Sequence, residues 1–396
     1  MLNAVVIVLV VDPDNEAAAL LHVMVITENA ICPSSSEPLA SCGDIPSRRC
    51  PVAHPTQEML MKKESGKPEI TVPETASAAR NTIRRIACAG MMLLLTSLLL
   101  CCSSPNFPTK PIELNYYANG PWGVTVSIGS LCCDSVGDKF DVYYPTALGQ
   151  GGFQHPILTW GNGTNSLSSN YAYFLKHMAS WGFVVIAAQD KNAGSGQTIL
   201  DAANFLIAAN SNPASIFFHK LNTSQIGAFG HSQGATGAIN ALKKSAGTIK
   251  TVMPIELPEQ LFCSSPQNCA DTSTLTQGSI FLIDGSSDIL ISPPTQPASA
   301  TGLQSIAAYY SAVPAGIIKA KGTLIGPTHS DVQGSPNCTA AIFPCLLGVY
   351  GYLGYPTAWM MFQLQNENYA RGAFVNGTGE LFSETKNWQL VASTVL

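Results

Sequence analysis

Charged residues are scarce in this 396-residue chain: they make up 11% of it, with 20 Lys and Arg against 25 Asp and Glu. The formal net charge of −5 leaves no excess of basic residues, which excludes a protein that binds nucleic acid through a basic surface. The 12 cysteines form no C-x-x-C pair and no Cys/His cluster at zinc-ligand spacing, so no metal site is predicted. Apolar residues, at 46%, are plentiful enough for a sizeable core.

Residues 1–110 differ in composition from the rest of the chain. Their centre, residues 32–75, is rich in Pro, Ser, Glu and Lys, which predicts disorder. Two arginines then precede the apolar stretch 86–102, which has the pattern of an export signal and ends like a lipoprotein signal. Because this stretch just reaches the length that spans a bilayer, the alternative is that it is retained as a membrane tether through 84–102. A signal so far into a chain also suggests a translation start downstream of Met1, such as Met61.

Cysteine placement agrees with export. The short loops 263–269 and 338–345 each begin and end in Cys and are natural disulfide candidates in an oxidising compartment. The adjacent Cys132 and Cys133 are not expected to bridge each other without strain. We therefore predict a secreted or cell-envelope protein with a leader over 1–110 and one large domain over 111–396.

Strand and helix patterns alternate after residue 115, which predicts an α/β fold with a mostly parallel central sheet flanked by helices on both faces. The predicted strands are Phe140–Tyr144, Pro156–Trp160, Gly182–Ala188, Gln225–Phe229, Thr251–Ile255, Ser279–Asp284 and Gly322–Ile325. The predicted helices are Ser168–Ser180, Gln197–Ala209, Gly234–Ser245, Gly302–Ala312 and Tyr355–Asn366. In such sheets, chemistry collects outside the carboxyl ends of the strands.

The pentapeptide Gly230–Gly234 (GHSQG) lies between an apolar strand and an alanine-rich helix. A serine on a tight strand-to-helix turn projects its hydroxyl above the sheet, and flanking glycines make the turn feasible. The alternative is a chance G-x-S-x-G in a chain rich in Gly and Ser. The flanking strand and helix favour Ser232 as a nucleophile.

A histidine base for this serine follows by elimination among the seven histidines. Two lie in the leader, three precede the nucleophile as isolated residues, and His231 adjoins it on the turn. His329 remains, in a loop directly after the last apolar strand. Between them, Asp288 follows a strand and a glycine turn, and is favoured over Asp284 as the acid. The alternatives are a loop histidine without a role and an Asp that forms a turn or caps a helix.

An oxyanion hole needs two N–H donors. One is the backbone N–H of Gln233, directly after the nucleophile, and the other is expected from the loop 160–165 after the third strand. The alternative is an ordinary Gly-Asn turn. Asn162–Thr164 is also a glycosylation sequon, which we interpret as coincidental because a glycan there would block the site.

Motifs in consecutive order over residues 115–395 resemble those of the α/β-hydrolase fold and, more narrowly, the cutinase-like polyester hydrolases related to enzymes that attack poly(ethylene terephthalate) (PET), within the dienelactone-hydrolase group. The matching segments are Tyr117–Val124 and Asp141–Thr146 for the opening strands, Ile157–Thr164, Ala179–Ile186, GHSQG, SSDILISP, GPTHS, Ala358–Met360 and Gln365–Asn368.

The resemblance implies a secreted serine carboxylester hydrolase that works through an acyl-serine intermediate. Its implied site residues are Ser232, Asp288 and His329 for catalysis, Gly163 and Gln233 for the oxyanion hole, and His231 and Leu290 for substrate binding. It implies no metal or organic cofactor, a small ester or polyester substrate, no nucleic-acid partner and a monomer. Alternatives are a chlorophyllase-like or lipase-like esterase, an acyltransferase, and a catalytically silent binding protein of the same fold.

Three departures from that family concern the substrate. Family members that grip aromatic polyesters commonly have an aromatic residue in the oxyanion loop, a methionine after the nucleophile and a tryptophan after the sixth strand. The matching positions here hold Gly163, Gln233 and the stretch 257–259 (LPE). Two aromatic stacking positions are therefore missing, and the sequence predicts the reaction better than the substrate.

Overall fold

The computed structural model divides the chain into two units, residues 1–76 and 77–396. The residues it describes are 4–11, 19–26, 106–336, 338–339, 341 and 344–396. In the first unit, β1 (Ala4–Val11) pairs with β2 (Ala19–Ile26) as an antiparallel hairpin. These strands lie inside the predicted leader. The segment 32–75, for which disorder is predicted, and the predicted export signal at 86–102 lie outside the described residues.

The described part of the second unit is built on a nine-stranded sheet in the order β11-β10-β9-β8-β7-β5-β6-β4-β3. Its strands are β3 (Val124–Leu131), β4 (Phe140–Pro145), β5 (His155–Gly161), β6 (Val184–Ala188), β7 (Leu221–His231), β8 (Thr251–Ile255), β9 (Ser279–Gly285), β10 (Ile318–Leu324) and β11 (Trp388–Ser393). Neighbouring strands are parallel across the central part of the sheet, β10-β9-β8-β7-β5-β6. The pairs β11-β10, β6-β4 and β4-β3 at the two margins are antiparallel. The predicted α/β class is therefore confirmed.

Helices cover both faces of the sheet. They are α1 (Pro111–Tyr117), α2 (Ala172–Ser180), α3 (Gln197–Ser211), α4 (Gln233–Lys244), α5 (Ile306–Ala312), α6 (Gly354–Gln365), α7 (Asn368–Arg371) and α8 (Glu380–Ser383). Side chains of α1, α2 and α6 pack into one buried cluster, and those of α3, α4 and α5 pack into a second. Successive strand residues alternate between the two clusters, as Ile157 and Leu158 do, because side chains on a strand point to opposite faces. This is why the parallel strands are apolar nearly throughout.

The strand prediction was least accurate at the sheet margins. Tyr117–Val124 is not an opening strand, because Tyr117 ends α1 and the first strand of this sheet begins only at Val124. Strand β11 was not predicted. Strand β10 begins four residues before its predicted start, because Lys319 and Lys321 interrupt the apolar pattern. Lys319 is nonetheless largely buried, and its ammonium group donates to the carbonyls of Tyr310 and Val313.

Three disulfides are formed among the described residues. Two join the predicted partners, Cys263 with Cys269 and Cys338 with Cys345. The third joins the adjacent Cys132 and Cys133, contrary to expectation. No helix in the described ranges is long and apolar enough to cross a membrane.

A buried carboxyl group on α1 makes the stability of this fold depend on pH. Glu113 is 2% exposed, accepts a hydrogen bond from the Trp388 indole at 2.8 Å, and has a second oxygen without a partner in the described structure. Burial raises the pKa of Glu113 to about 8, and the nearby charges of Glu384 and Glu380 add to the shift. Because this pKa lies above the ordinary value of 4.5, the contribution to stability is complete below that value and is lost as pH rises toward 8.

Glu113→Gln should therefore reduce the loss of stability at alkaline pH. Between about pH 5 and about pH 9, the free energy of unfolding of the variant should fall by roughly 2–4 kcal/mol less than that of the wild type. Urea denaturation at both pH values measures this difference. Glu367→Gln, at a partly exposed position, is the control and should follow the wild type. If the free energy of unfolding fell equally with pH in the wild type and in Glu113→Gln, the raised pKa of Glu113 would be contradicted.

Candidate active site

Ser232 lies on a sharp turn between β7, which ends at His231, and α4, which begins at Gln233. Its backbone has φ 54° and ψ −122°, a region that non-glycine residues rarely adopt. Glycines on either side allow the helix to approach the sheet. A Cβ at Gly234 would meet the carbonyl oxygen of Gly161 at 2.0 Å, and one at Gly230 would meet the carbonyl oxygen of Gly234 at 2.3 Å. The turn thus holds Ser232 at the carboxyl edge of the sheet.

The three predicted catalytic side chains meet at this edge. His329 Nε2 lies 2.8 Å from Ser232 Oγ, and His329 Nδ1 lies 2.5 Å from Asp288 Oδ2. Asp288 follows β9 and His329 follows β10, so neighbouring parallel strands deliver the acid and the base to one place. Burial alone would raise the pKa of Asp288, but its hydrogen bond with His329 and the charge of that residue lower it below the ordinary value. Asp288 is therefore ionised at neutral pH.

The loop that carries His329 is anchored by Asp331. This buried carboxylate accepts backbone N–H groups from Thr328 on one side and from Leu346, Leu347 and Gly348 on the other. It therefore ties the loop to the segment after Cys345. The sulfur atoms of Cys338 and Cys345 lie near the same carboxylate, but they are joined in a disulfide and are not thiolate ligands for a metal.

His231 connects three parts of the site. Its Nε2 donates to the carbonyl oxygen of His329 at 2.6 Å, and its Nδ1 accepts from the Tyr171 hydroxyl at 2.9 Å. Burial and the neighbouring His329 lower the pKa of His231 well below the ordinary value, so it is neutral in this one tautomer. The Tyr171 hydroxyl also accepts from Gly163 N–H and from the Gln333 amide, both at 3.1 Å. Predicted as a lining residue, His231 does line the cavity, and it also fixes the backbone at His329.

Two neighbouring backbone N–H groups in the loop after β5, those of Gly163 and Thr164, differ in their hydrogen bonding. Gly163 N–H, the oxyanion donor implied by the resemblance, is already paired with Tyr171. In the described structure, the N–H groups of Gln233 and of Thr164 donate to no acceptor, and both residues line the cavity. The N–H of Gly163 is thus occupied in this structure, whereas that of the next residue has no acceptor among the described residues.

A cavity of about 560 Å³ opens beside Ser232. Its rim carries exposed apolar side chains, among them Phe262, Ile289 and the predicted Leu290, which is 75% exposed. Glu259 and Asp288 are the charged side chains that line it, and no Lys or Arg does so among the described residues. The cavity therefore suits an apolar, uncharged ligand.

A second buried carboxyl group lies beside the Asp288–His329 pair. Glu256 directly follows β8 and is fully buried, and its Oε1 accepts from the Tyr352 hydroxyl at 2.5 Å. One ligand atom each from Glu256, Asp288 and His329 lie within 4.8 Å of one another. Burial raises the pKa of Glu256 well above the ordinary value, and the charges of Asp288 and Asp284 add to this shift.

Sequence reasoning missed Tyr171, Gln333 and Glu256, whereas Thr164 lies in the loop 160–165 that it singled out. Only Glu256 had a usable signal, because it follows a predicted strand at the same edge of the sheet as Asp288. Tyr171 and Gln333 come from a helix start and a loop far apart in sequence, and only tertiary packing brings them together.

Comparison with known proteins agrees with this geometry. The sequence model of a family described as PET hydrolase-like matches residues 114–266, which include the nucleophile turn and the loop after β5. The chain is also 26% identical over 216 residues to the bis(hydroxyethyl) terephthalate hydrolase of Streptomyces coelicolor. That alignment covers 53% of this chain and 61% of the relative.

The sheet order, the nucleophile turn and this family match agree in giving the chain an α/β-hydrolase fold. More narrowly, its sequence is similar to PET hydrolase-like proteins over the matched segment, in agreement with the resemblance seen in its motifs. Asp288 and His329 lie beyond the segment matched by the family, so their assignment rests on their geometry.

Tyr171→Phe tests the connecting role of the tyrosine hydroxyl. Removing this oxygen leaves His231 Nδ1 and the Gly163 N–H without their partner in a buried site. The free energy of unfolding should fall by about 1–3 kcal/mol, measured by urea denaturation. Tyr173→Phe removes a hydroxyl from a side chain on α2, the helix that begins directly after Tyr171. This side chain is 39% exposed, so stability should change by less than about 0.5 kcal/mol. Equal effects of the two substitutions would contradict the role of Tyr171.

Proposed function

We propose that this chain is a serine carboxylester hydrolase. Ser232 attacks the ester carbonyl while His329 takes its proton, and the same imidazole then protonates the leaving alcohol. Asp288 holds the imidazole in one tautomer and stabilises its charged form. Water, deprotonated by His329, releases the acyl group and regenerates the serine. The observation that carries this proposal is the continuous hydrogen-bonded series from Ser232 through His329 to Asp288.

The tetrahedral intermediate needs two donors for its oxyanion. We assign them to the backbone N–H groups of Gln233 and Thr164, which have no other acceptor among the described residues. Gln233 is the first residue of α4, so the positive end of the helix dipole lies at the same point. Loss of one such donor typically costs about 100- to 1000-fold in kcat.

The substrate we propose is an uncharged ester with an apolar acyl group, either a small molecule or a segment of a polyester. Two carboxyl groups line the cavity and would repel an anionic substrate. The exposed apolar rim, which includes Phe262, Ile289 and Leu290, offers contact to an apolar chain or surface. Phe262 also supplies an aromatic ring to the cavity, although the two stacking positions typical of the family hold no aromatic residue here.

We further propose that the protein is secreted. The three disulfides of the described structure support this because disulfides persist in oxidising compartments and are rare in the cytosol. Two of them close short loops near the site, since Cys263 lines the cavity and Cys345 adjoins the segment held by Asp331.

Ser232→Ala should abolish ester cleavage without unfolding the protein. Turnover of p-nitrophenyl butyrate is expected to fall by at least about 10⁴-fold, because the nucleophile is lost. Covalent labelling by a fluorophosphonate should disappear in parallel, and the thermal melt should stay close to that of the wild type.

Ser224→Ala is the matched control. Ser224 lies on the same strand at its opposite end and is exposed, so turnover and labelling should equal those of the wild type. Retained activity in Ser232→Ala would show that another residue is the nucleophile. A wild type with neither labelling nor turnover would instead favour a silent binding protein, and capture of the acyl group mainly by an added alcohol would favour an acyltransferase.

A further inference from the structure

We propose that Glu256 is a reserve acid of this site, a positioning residue that can support His329 in place of Asp288. This inference rests on the proposed hydrolase function and goes beyond it. It assigns a role to a second carboxyl group on a different strand, where the proposed mechanism requires only one.

The placement of Glu256 follows from the sheet. Strands β8 and β9 are parallel neighbours, so the residues that follow them reach the same edge. Glu256 N–H donates to the carbonyl of Ile283 at 2.8 Å, which fixes the Glu256 backbone against β9. Its own φ is +50°, a left-handed conformation that is unfavourable for a residue with a Cβ. The backbone thus holds the side chain beside Asp288 and His329 at some cost in strain.

One oxygen of Glu256 is available for a new contact. Oε1 accepts from Tyr352, whereas Oε2 is buried and has no hydrogen-bond partner in the described structure. Leaving a buried polar atom unpaired is costly, typically about 1–3 kcal/mol. The Glu256 carboxyl group has one oxygen atom within 4.8 Å of ligand atoms of Asp288 and His329, so it is well placed to move onto the imidazole when Asp288 is removed.

Neighbouring negative charges explain why Glu256 does not act as the acid while Asp288 is present. The titratable groups around it are Asp284 and Asp288 at the end of β9, together with His329 and Tyr352. Burial and the two aspartates favour the protonated form of Glu256, so Asp288 alone is the ionised acid. Loss of the Asp288 side chain would remove one negative charge and open space beside Nδ1 of His329. Glu256 would then ionise more readily and pair with the imidazolium.

The test is a comparison of variants assayed on p-nitrophenyl butyrate. Removing the acid of a Ser-His-Asp triad usually lowers kcat by about 10⁴-fold. With Glu256 in reserve, Asp288→Ala should lose only about 100-fold, with KM nearly unchanged, and its kcat should rise with pH as Glu256 ionises. Adding Glu256→Gln should bring the total loss to about 10⁴-fold and abolish the part of the pH rise that depends on Glu256.

Asp284→Asn in the Asp288→Ala background is the matched control. Asp284 is also buried, and one of its oxygens has no partner among the described residues. Its other oxygen accepts from Thr323 at 2.7 Å, and Asp284 is not part of the close cluster with His329. This variant should not lower kcat by more than about threefold, because removing a nearby negative charge favours the ionised form of Glu256. If Asp288→Ala proves unstable, Asp288→Ser provides the same comparison, since its hydroxyl can accept from the Ile291 N–H that Asp288 now binds.

The outcomes separate the two proposals. If the wild type hydrolyses the ester through Ser232 but Asp288→Ala and Asp288→Ala/Glu256→Gln have equal kcat and pH profiles, the reserve acid is overturned and the hydrolase stands. An equal loss from Asp284→Asn would also overturn it, because the effect would then be a general one of buried charge. A wild type without turnover would overturn both proposals.

Discussion

The hydrogen bond between His329 and Asp288 is the interaction on which the site depends. At 2.5 Å it fixes the imidazole so that its other nitrogen faces Ser232. The bond can form only if the loops after β9 and β10 both keep their shape, and the loop after β10 has two anchors. Asp331 gathers backbone N–H groups around the His329 loop, and His231 holds the carbonyl of His329 itself.

These anchors help to offset unfavourable local features. Ser232 and Glu256 both have left-handed backbone conformations, and one buried oxygen of Glu256 has no partner in the part of the chain that the structure describes. Such strain persists only where surrounding contacts determine the conformation. Here the contacts are the glycine-mediated approach of α4 to the sheet and the buried network of Tyr171, His231 and Gln333. The stability of the two buried apolar clusters thus compensates for strained backbone conformations at the edge of the sheet where the proposed catalytic residues lie.

The sequence predicted the centre of this molecule better than its margins. Buried parallel strands such as β8 are short apolar runs, and the G-x-S-x-G motif has a local physical reason, so both could be recognised directly. The edge strands β3 and β11 and the lysine-bearing start of β10 lack that pattern. The pairing of the Gly163 N–H could not be predicted, because its partner is a Tyr171 hydroxyl that packing brings to the loop. Pairwise contacts between distant segments have no local signature.

A crystal structure of the wild-type protein after reaction with a p-nitrophenyl phosphonate ester would test this account most directly. The account predicts phosphorus bonded to Ser232 Oγ, with the phosphoryl oxygen accepting from the N–H groups of Gln233 and Thr164 and with His329 still paired with Asp288. Phosphorus on another residue, or a phosphoryl oxygen turned away from both N–H groups with His329 separated from Asp288, would contradict it.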